Sequence, residues 1–204
     1  RDPDASAILI EFDSPGGLVD LVPETAAMIF EARQRDRPIV AHANTMAASA
    51  AYYLAAAADE IVMSPSAIVG SIGVYLVHDD MSVRLVQDGV ARTFIYEGPR
   101  KVEGHAFAPL DDTARSALQA SVRYSYEAFT GDVARFRGVP ASVVQADPEA
   151  SERHFGGGRT YHAENAIRLG MADRIEPFQA TLERLAGGQY ARSAATRGAR
   201  LRLL

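Results

Sequence analysis

Ser49 stands alone among small residues in Met46-Ala47-Ala48-Ser49-Ala50-Ala51-Tyr52-Tyr53, where a strand and loop give way to a helix. Small neighbours leave its hydroxyl accessible and let a substrate backbone come close. Backbone N–H groups at a helix N-terminus have no intrahelical partner and face the place where an oxyanion would form. Acyl transfer by an activated serine is the chemistry this suggests, although an isolated serine at a helix start is most often only a cap. The loop Ser14-Pro15-Gly16-Gly17 follows the first strand-like run, at the end where open α/β sheets place ligands. Its paired glycines can present N–H groups with no Cβ in the way. Pro-Gly-Gly is equally the composition of an ordinary turn. Gly70-Ser71-Ile72-Gly73 is another small-residue turn beside a strand. Gly98-Pro99-Arg100-Lys101 places a lysine after a strand and a glycine turn.

Other chemistries are excluded or disfavoured. The 204 residues contain no cysteine, which removes disulfides, thiolate zinc sites and cysteine catalysis. No His/Asp/Glu group has metal-ligand spacing, so neither a metal nor another cofactor is expected. A formal net charge of −5 argues against a nucleic-acid partner. Asp59-Glu60 and Asp111-Asp112 read as solvated or capping residues rather than an acid–base pair. Apolar residues make up 48% of the chain, enough for a sizeable core. No apolar run reaches the length of a membrane span; the most apolar stretch, Met46 to Ala58, is too short. The expected location is the cytoplasm. The abrupt start at Arg1-Asp2-Pro3-Asp4 suggests a missing upstream segment and leaves membrane association of a longer protein open.

The elements that must position these residues follow from periodicity. Buried strands are predicted at Ala7 to Asp13, Pro38 to Ala43 and Glu60 to Met63. Further strands are predicted at Ile72 to Val77, Thr93 to Tyr96 and Met171 to Ile175. Helices are predicted at Pro23 to Ala32, Ala47 to Ala57, about Met81 to Gln87, and His162 to Leu169 before Gly170. The clearest helix follows Asp111-Asp112, either of which could cap it. Along it, Leu118, Val122, Tyr126, Phe129, Val133 and Phe136 form an apolar stripe, and Gly138 ends it. Another helix follows Pro140, and Gly156-Gly157-Gly158 reads as a flexible turn. Alternating strands and helices imply crossover connections and an α/β fold with a mainly parallel sheet. The organisation expected is one domain over residues 1–186 and a tail over 187–204. That tail carries Arg192, Arg197, Arg200 and Arg202 and no acid, and is expected to be flexible.

The ordered motifs SPGG, MAASAAYYLA with Asp59-Glu60-Ile61-Val62 after it, GSIGV and GPRKVEGHAFAPL resemble the signal-peptide-peptidase A family of serine peptidases. The likeness is strongest to its phage branch, of the minor-capsid-protein-C or prohead-protease type. The stretch from Tyr161 to Ala166 and on to Gly170-Met171-Ala172-Asp173 is similar to the family's closing motif. The resemblance runs from about Ile8 to Ile175 and implies the Clp-protease/crotonase α/β fold. It makes Ser49 the nucleophile, Lys101 its general base and Ser71 an auxiliary hydroxyl that holds the lysine amine. Gly16 or Gly17 and Ala50 would supply the oxyanion hole. Two departures stand out. Ala50-Ala51 replaces a frequent Gly-Gly, which keeps the backbone donors but alters pocket shape. The family's upstream strand and helix have no counterpart here.

A Ser–Lys pair is chemically sound only where burial favours the neutral amine. Ile72 and Val102 are the apolar neighbours expected to provide that burial. His78, followed by Asp79-Asp80, is the competing base in a Ser–His–Asp arrangement on the same fold. His42, His105, His154 and His162 read as structural or exposed. The resemblance further implies a polypeptide substrate and a homo-oligomeric ring with sites near subunit interfaces. Phage scaffold or capsid proteins are the expected targets, ahead of signal-peptide remnants. Readings from other classes are a non-catalytic shell component, or a crotonase-like acyl-CoA enzyme that would not need Ser49 and Lys101 together.

Overall fold

A computed structural model describes residues 5–34 and 36–190. They form two compact units, one comprising residues up to Gly73 together with those from Ala128, the other Val74–Glu127. The Arg192, Arg197, Arg200 and Arg202 tail lies outside the described residues.

The first unit is built on a six-stranded sheet: β1 (Ile8–Ser14), β2 (Ile39–Ala48), β3 (Glu60–Met63), β4 (Ile68–Gly70), β5 (Thr160–His162) and β6 (Arg174–Ile175). Four of its pairings are parallel and only β4–β5 is antiparallel, so the expected α/β class with a mainly parallel sheet holds. Strand β2 organises it. Along one edge β2 pairs with β1; along the other, Val40–Ala43 pair with β3 and Met46–Ala48 with β4. The change of partner coincides with a bulge. Phe12 pairs with Ala43, but the next residue, Asp13, pairs with Met46, which leaves Asn44 and Thr45 as extra residues on β2.

Helix α1 (Val22–Glu31) follows β1 and α2 (Ala50–Ala56) follows β2. A helix from Ala47 is expected on composition, yet Ala47 and Ala48 are the last residues of a strand. Both are buried between β1 and β4, where small side chains allow close neighbours on both edges. Helices α3 (Ser82–Gln87), α4 (Asp112–Arg137), α5 (Ala141–Val144), α6 (Ala163–Leu169) and α7 (Phe178–Ala186) complete the chain. Asp111 is the cap of α4, accepting the Ala114 N–H at 2.8 Å. Gly138, at φ 65°, ends α4, and the Val139 N–H returns to the Ala134 carbonyl. In the C-terminal half of the predicted stripe, Phe129, Val133 and Phe136 are buried. Phe129 stacks on Tyr53 of α2 at 4.5 Å between ring centroids.

Two expected strands are absent. Residues 72–77 and 93–96 have no strand partner. Their β-branched and aromatic content measures fit to a half-buried pleated surface. Here Tyr75 is 87% and Ile95 98% exposed, so that surface is not supplied. In turn β4, β5 and α7 were not expected; β4 and β5 are only three residues long.

Candidate active site

Ser49 occupies the sharp turn between β2 and α2. Its backbone sits at φ 54°, ψ −124°, and its side chain makes no capping hydrogen bond to α2. The capping role that competes with catalysis for such a serine is therefore unfilled. A non-glycine residue at positive φ stores strain that the surrounding structure must hold in place. The holding groups are identifiable. The Ser49 N–H donates to the Gly70 carbonyl at 2.8 Å, and the Tyr53 N–H returns to the Ser49 carbonyl at 2.9 Å. Helix α2 is itself pinned from behind. The Tyr52 hydroxyl donates to the Met171 carbonyl at 2.9 Å, and the Tyr53 hydroxyl to Asp132 at 2.6 Å. Burial pushes both phenols well above their ordinary range, with the Asp132 carboxylate adding to the effect at Tyr53. They stay neutral donors.

The glycine loop after β1 packs on this turn. A Cβ on Gly16 would stand 2.6 Å from Ser49 Cβ and 3.1 Å from the Ala50 nitrogen, and Gly16 has φ 110°. Only glycine fits there. The Gly16 N–H already donates to Ser14 Oγ at 3.2 Å. The Gly17 N–H has no partner among the described residues, and Gly17 is exposed. The Ala50 N–H lies in the first turn of α2, where no helix carbonyl can reach it.

Ser71 comes next to this group through the sheet. Ala48 and Gly70 are register partners on parallel strands, so Ser49 and Ser71 leave β2 and β4 side by side. Ser71 also has positive φ, 55°, and its N–H donates to the Arg159 carbonyl at 2.8 Å. That contact comes from the Gly156-Gly157-Gly158 loop, whose part in the site the sequence did not suggest. Gly158 lies against Gly73, its Cα 3.6 Å from where a Gly73 Cβ would be.

Ser49, Ser71, Gly16 and Ala50 thus converge on one end of the sheet in the first unit, with Gly17 next to Gly16 on the exposed side of the loop. Lys101 and His78 belong to the second unit. Lys101 is exposed on a turn closed by its own N–H to the Gly98 carbonyl at 3.0 Å. The burial expected around it is not provided by the turn that carries it, where Arg100 pairs instead with Glu103 at 2.6 Å. His78 donates from Nε2 to the His105 carbonyl at 3.1 Å, which occupies the nitrogen a triad would use. The neighbouring Asp80 accepts the Ser82 N–H at the start of α3, a bond that holds its carboxyl below the usual range. Among the described residues no group of His, Asp and Glu could hold a metal. No helix among them is long and apolar enough to cross a membrane.

The chain is similar to known peptidases. The family model described as peptidase family S49 matches residues 31–192. Capsid assembly protease C of Escherichia phage lambda is 34% identical over 200 residues, covering 92% of this chain and 43% of that protein. Protease 4 of Salmonella typhi is 29% identical over 177 residues, 87% of this chain and 27% of the other. A putative signal peptide peptidase SppA of Enterococcus faecium is 26% identical over 185 residues, 91% and 52% respectively. The chain spans about half the length of these relatives or less. Among solved structures, the 1510-N membrane-bound stomatin-specific protease matches twice, each time with a TM-score of 0.50. One is a lysine-to-alanine mutant in complex with a substrate peptide, 20% identical, covering 88% of this chain and 65% of that one. The other is a serine-to-alanine mutant, 19% identical, covering 89% and 70%. At that identity the likeness is one of fold, and it agrees with the expected Clp-protease/crotonase type.

Proposed function

The chain belongs to peptidase family S49, and from that premise we propose that it is a serine endopeptidase with Ser49 as nucleophile and Lys101 as general base. The observation that carries this is the Ser49 turn: a strained serine between strand and helix, its hydroxyl not spent on capping, with Gly16 packed against it.

The chemistry runs as acyl transfer. The neutral Lys101 amine takes the Ser49 proton as Oγ attacks the scissile carbonyl carbon. The carbonyl oxygen becomes an oxyanion and is held by the Gly17 and Ala50 N–H groups. Gly17 is preferred over Gly16, whose N–H is already taken. The C–N bond then breaks, Lys101 protonates the leaving amine, and Ser49 keeps the acyl group. Water, deprotonated by the same amine, attacks the ester and restores both residues. The Ser71 hydroxyl beside Ser49 steadies the amine between these transfers.

Lys101 requires desolvation to act as a base, and its unit exposes many apolar residues. Helix α3 buries none of its residues, and Tyr75, Val86 and Ile95 are open to solvent. A homo-oligomeric ring that covers this face would supply the missing burial. The relative from phage lambda is named for capsid assembly, and we assign this chain a substrate of the same kind: a scaffold or capsid polypeptide, cleaved in the cytoplasm of a bacterial host or inside an assembling head.

Casein cleavage by the wild type, Ser49→Ala, Lys101→Ala and His78→Ala tests the assignment. The first two variants are expected to lose at least about a thousandfold in kcat/KM, and His78→Ala to stay within about threefold of wild type. An active Lys101→Ala beside a dead His78→Ala would move the mechanism to a histidine base. Lasting activity in Ser49→Ala would end the serine-peptidase reading.

A further inference from the structure

The β2 bulge is held by a set of side-chain bonds that the peptidase chemistry does not itself need. Asn44 and Thr45 are the two residues by which β2 outruns β1. Both reach across to carboxylates on β1. Asn44 Nδ2 donates to Glu11 Oε1 at 2.7 Å, and the Thr45 hydroxyl donates to Asp13. Asn44 makes a second bond in the other direction. Its Oδ1 accepts the hydroxyl of Ser64 at 3.0 Å. Ser64 is buried directly after β3, and its N–H is bonded to the Ala43 carbonyl at 3.0 Å. One amide therefore ties β1, β2 and the end of β3 together at the fork where β2 exchanges β3 for β4.

What lies downstream of the fork depends on it. Two extra residues keep the alternation of faces along β2 but move everything after them by two positions relative to β1. The register Ala48↔Gly70 places Ser49 against the Gly70 carbonyl and beside Ser71. On the opposite edge of β2, the two extra residues Asn44 and Thr45 set the register Asp13↔Met46 and Ser14↔Ala47, which brings the end of β1, and Gly16 after it, to the Ser49 turn. Bulges near active sites re-aim a side chain in this way.

Resting on the reading of Ser49 as nucleophile, we propose that Asn44 is a positioning residue: its bridge from Glu11 to Ser64 fixes the β2 bulge and thereby sets the Ser49 turn against the end of β1 and Gly16. The amide is specifically required. It must donate on one side to a carboxylate and accept on the other from a hydroxyl. An aspartate at 44 still accepts from Ser64 but places a second carboxylate against Glu11.

The test is a swap. Asn44→Asp is compared with Asn44→Asp combined with Glu11→Gln, in which the glutamine amide donates back to Asp at position 44. Three readouts are taken: the second-order rate of labelling by a fluorophosphonate, the thermal midpoint, and hydrogen exchange of the segment Met46–Tyr53. Asn44→Asp is expected to slow labelling at least about tenfold and to speed exchange in that segment, and the double variant to recover both to near wild type. The split should fall on kcat of casein cleavage and not on KM. Labelling and exchange at wild-type rates in Asn44→Asp would overturn the proposal. So would loss in both variants alike with parallel falls in thermal midpoint, since that is simple destabilisation. A wild type that never labels would instead sink the peptidase reading. The exchange comparison then decides the bulge on its own: no acceleration in Asn44→Asp overturns its structural half.

Discussion

At Gly16 a Cβ would stand 2.6 Å from the Cβ of Ser49 and 3.0 Å from the Ala48 carbonyl, on a backbone at φ 110°. Gly16→Ala therefore meets both an unfavourable conformation and an overlap with the Ser49 turn. It is expected to cost about 1–3 kcal/mol of stability and to slow fluorophosphonate labelling at least about tenfold. At Gly17 the same addition meets no atom within 4 Å. Gly17→Ala is expected to fold as well as wild type in urea titrations, and the pair separates packing from loop chemistry. His42 poses a different question. It is fully buried, its Nε2–H donates to the Glu176 carbonyl at 3.1 Å, and its Nδ1 has no partner. Burial holds its pKa below the ordinary 6.5. The folded chain thus resists a proton that the unfolded chain accepts. Stability from the neutral ring is complete above pH 6.5 and is lost as pH falls from there toward the lowered folded value. Urea unfolding at pH 7.5, 6.5 and 5.5 should show this slope, and His42→Gln should flatten it.

Among the elements, the unexpected helix α7 is anchored by charge. Glu60, 2% exposed on β3, accepts from Arg174 Nε at 2.8 Å and from Arg184 Nη1 at 3.2 Å. Arg184 also donates to Glu176 at 2.9 Å, which Thr181 bonds at 2.8 Å. Without Glu60, Arg184 keeps Glu176 and Arg174 is partly open to water, so Glu60→Ala should cost about 1–3 kcal/mol in urea unfolding. In the sequence, Asp59-Glu60 read as solvated or capping, because nothing local to Glu60 announces arginines more than a hundred residues away. Features with local causes were legible. The long helix α4 announces itself by period and cap, β1 and β3 by compact apolar runs, and Ser49 by its small neighbours. The length of β2 was not legible, since alanines favour helices on their own and only β1 and β4 on either side make Ala47 and Ala48 a strand. The candidate site divides in the same way. Gly16 and Ser71 follow from motif order, whereas Arg159 and Asn44 enter through contacts that no spacing encodes.

For the whole molecule, the exposed apolar residues of the second unit set the largest remaining demand. Ile95 is 98% exposed and Val86 79%, on the unit that also carries an exposed Lys101. Burying such side chains against a second copy is worth roughly 1.5–3 kcal/mol each, and it would exclude water from the segment that carries Lys101. Isologous or ring contacts of this kind make activity depend on assembly. Ile95→Asp places a charge where the partner's surface would lie. In a monomeric chain that position is already fully hydrated, so the fold should be spared. Sedimentation is expected to show an oligomer for the wild type and a monomer for Ile95→Asp, with casein cleavage reduced at least about a hundredfold and an unchanged thermal midpoint. A fully active Ile95→Asp monomer would mean that Lys101 is desolvated by substrate alone. Mixing Ser49→Ala with Lys101→Ala copies then shows whose lysine serves whose serine. Recovery of about a quarter of wild-type activity, the statistical share of sites with both residues intact in a random assembly, means that the base comes from the neighbour. No recovery places both residues of the pair in one chain.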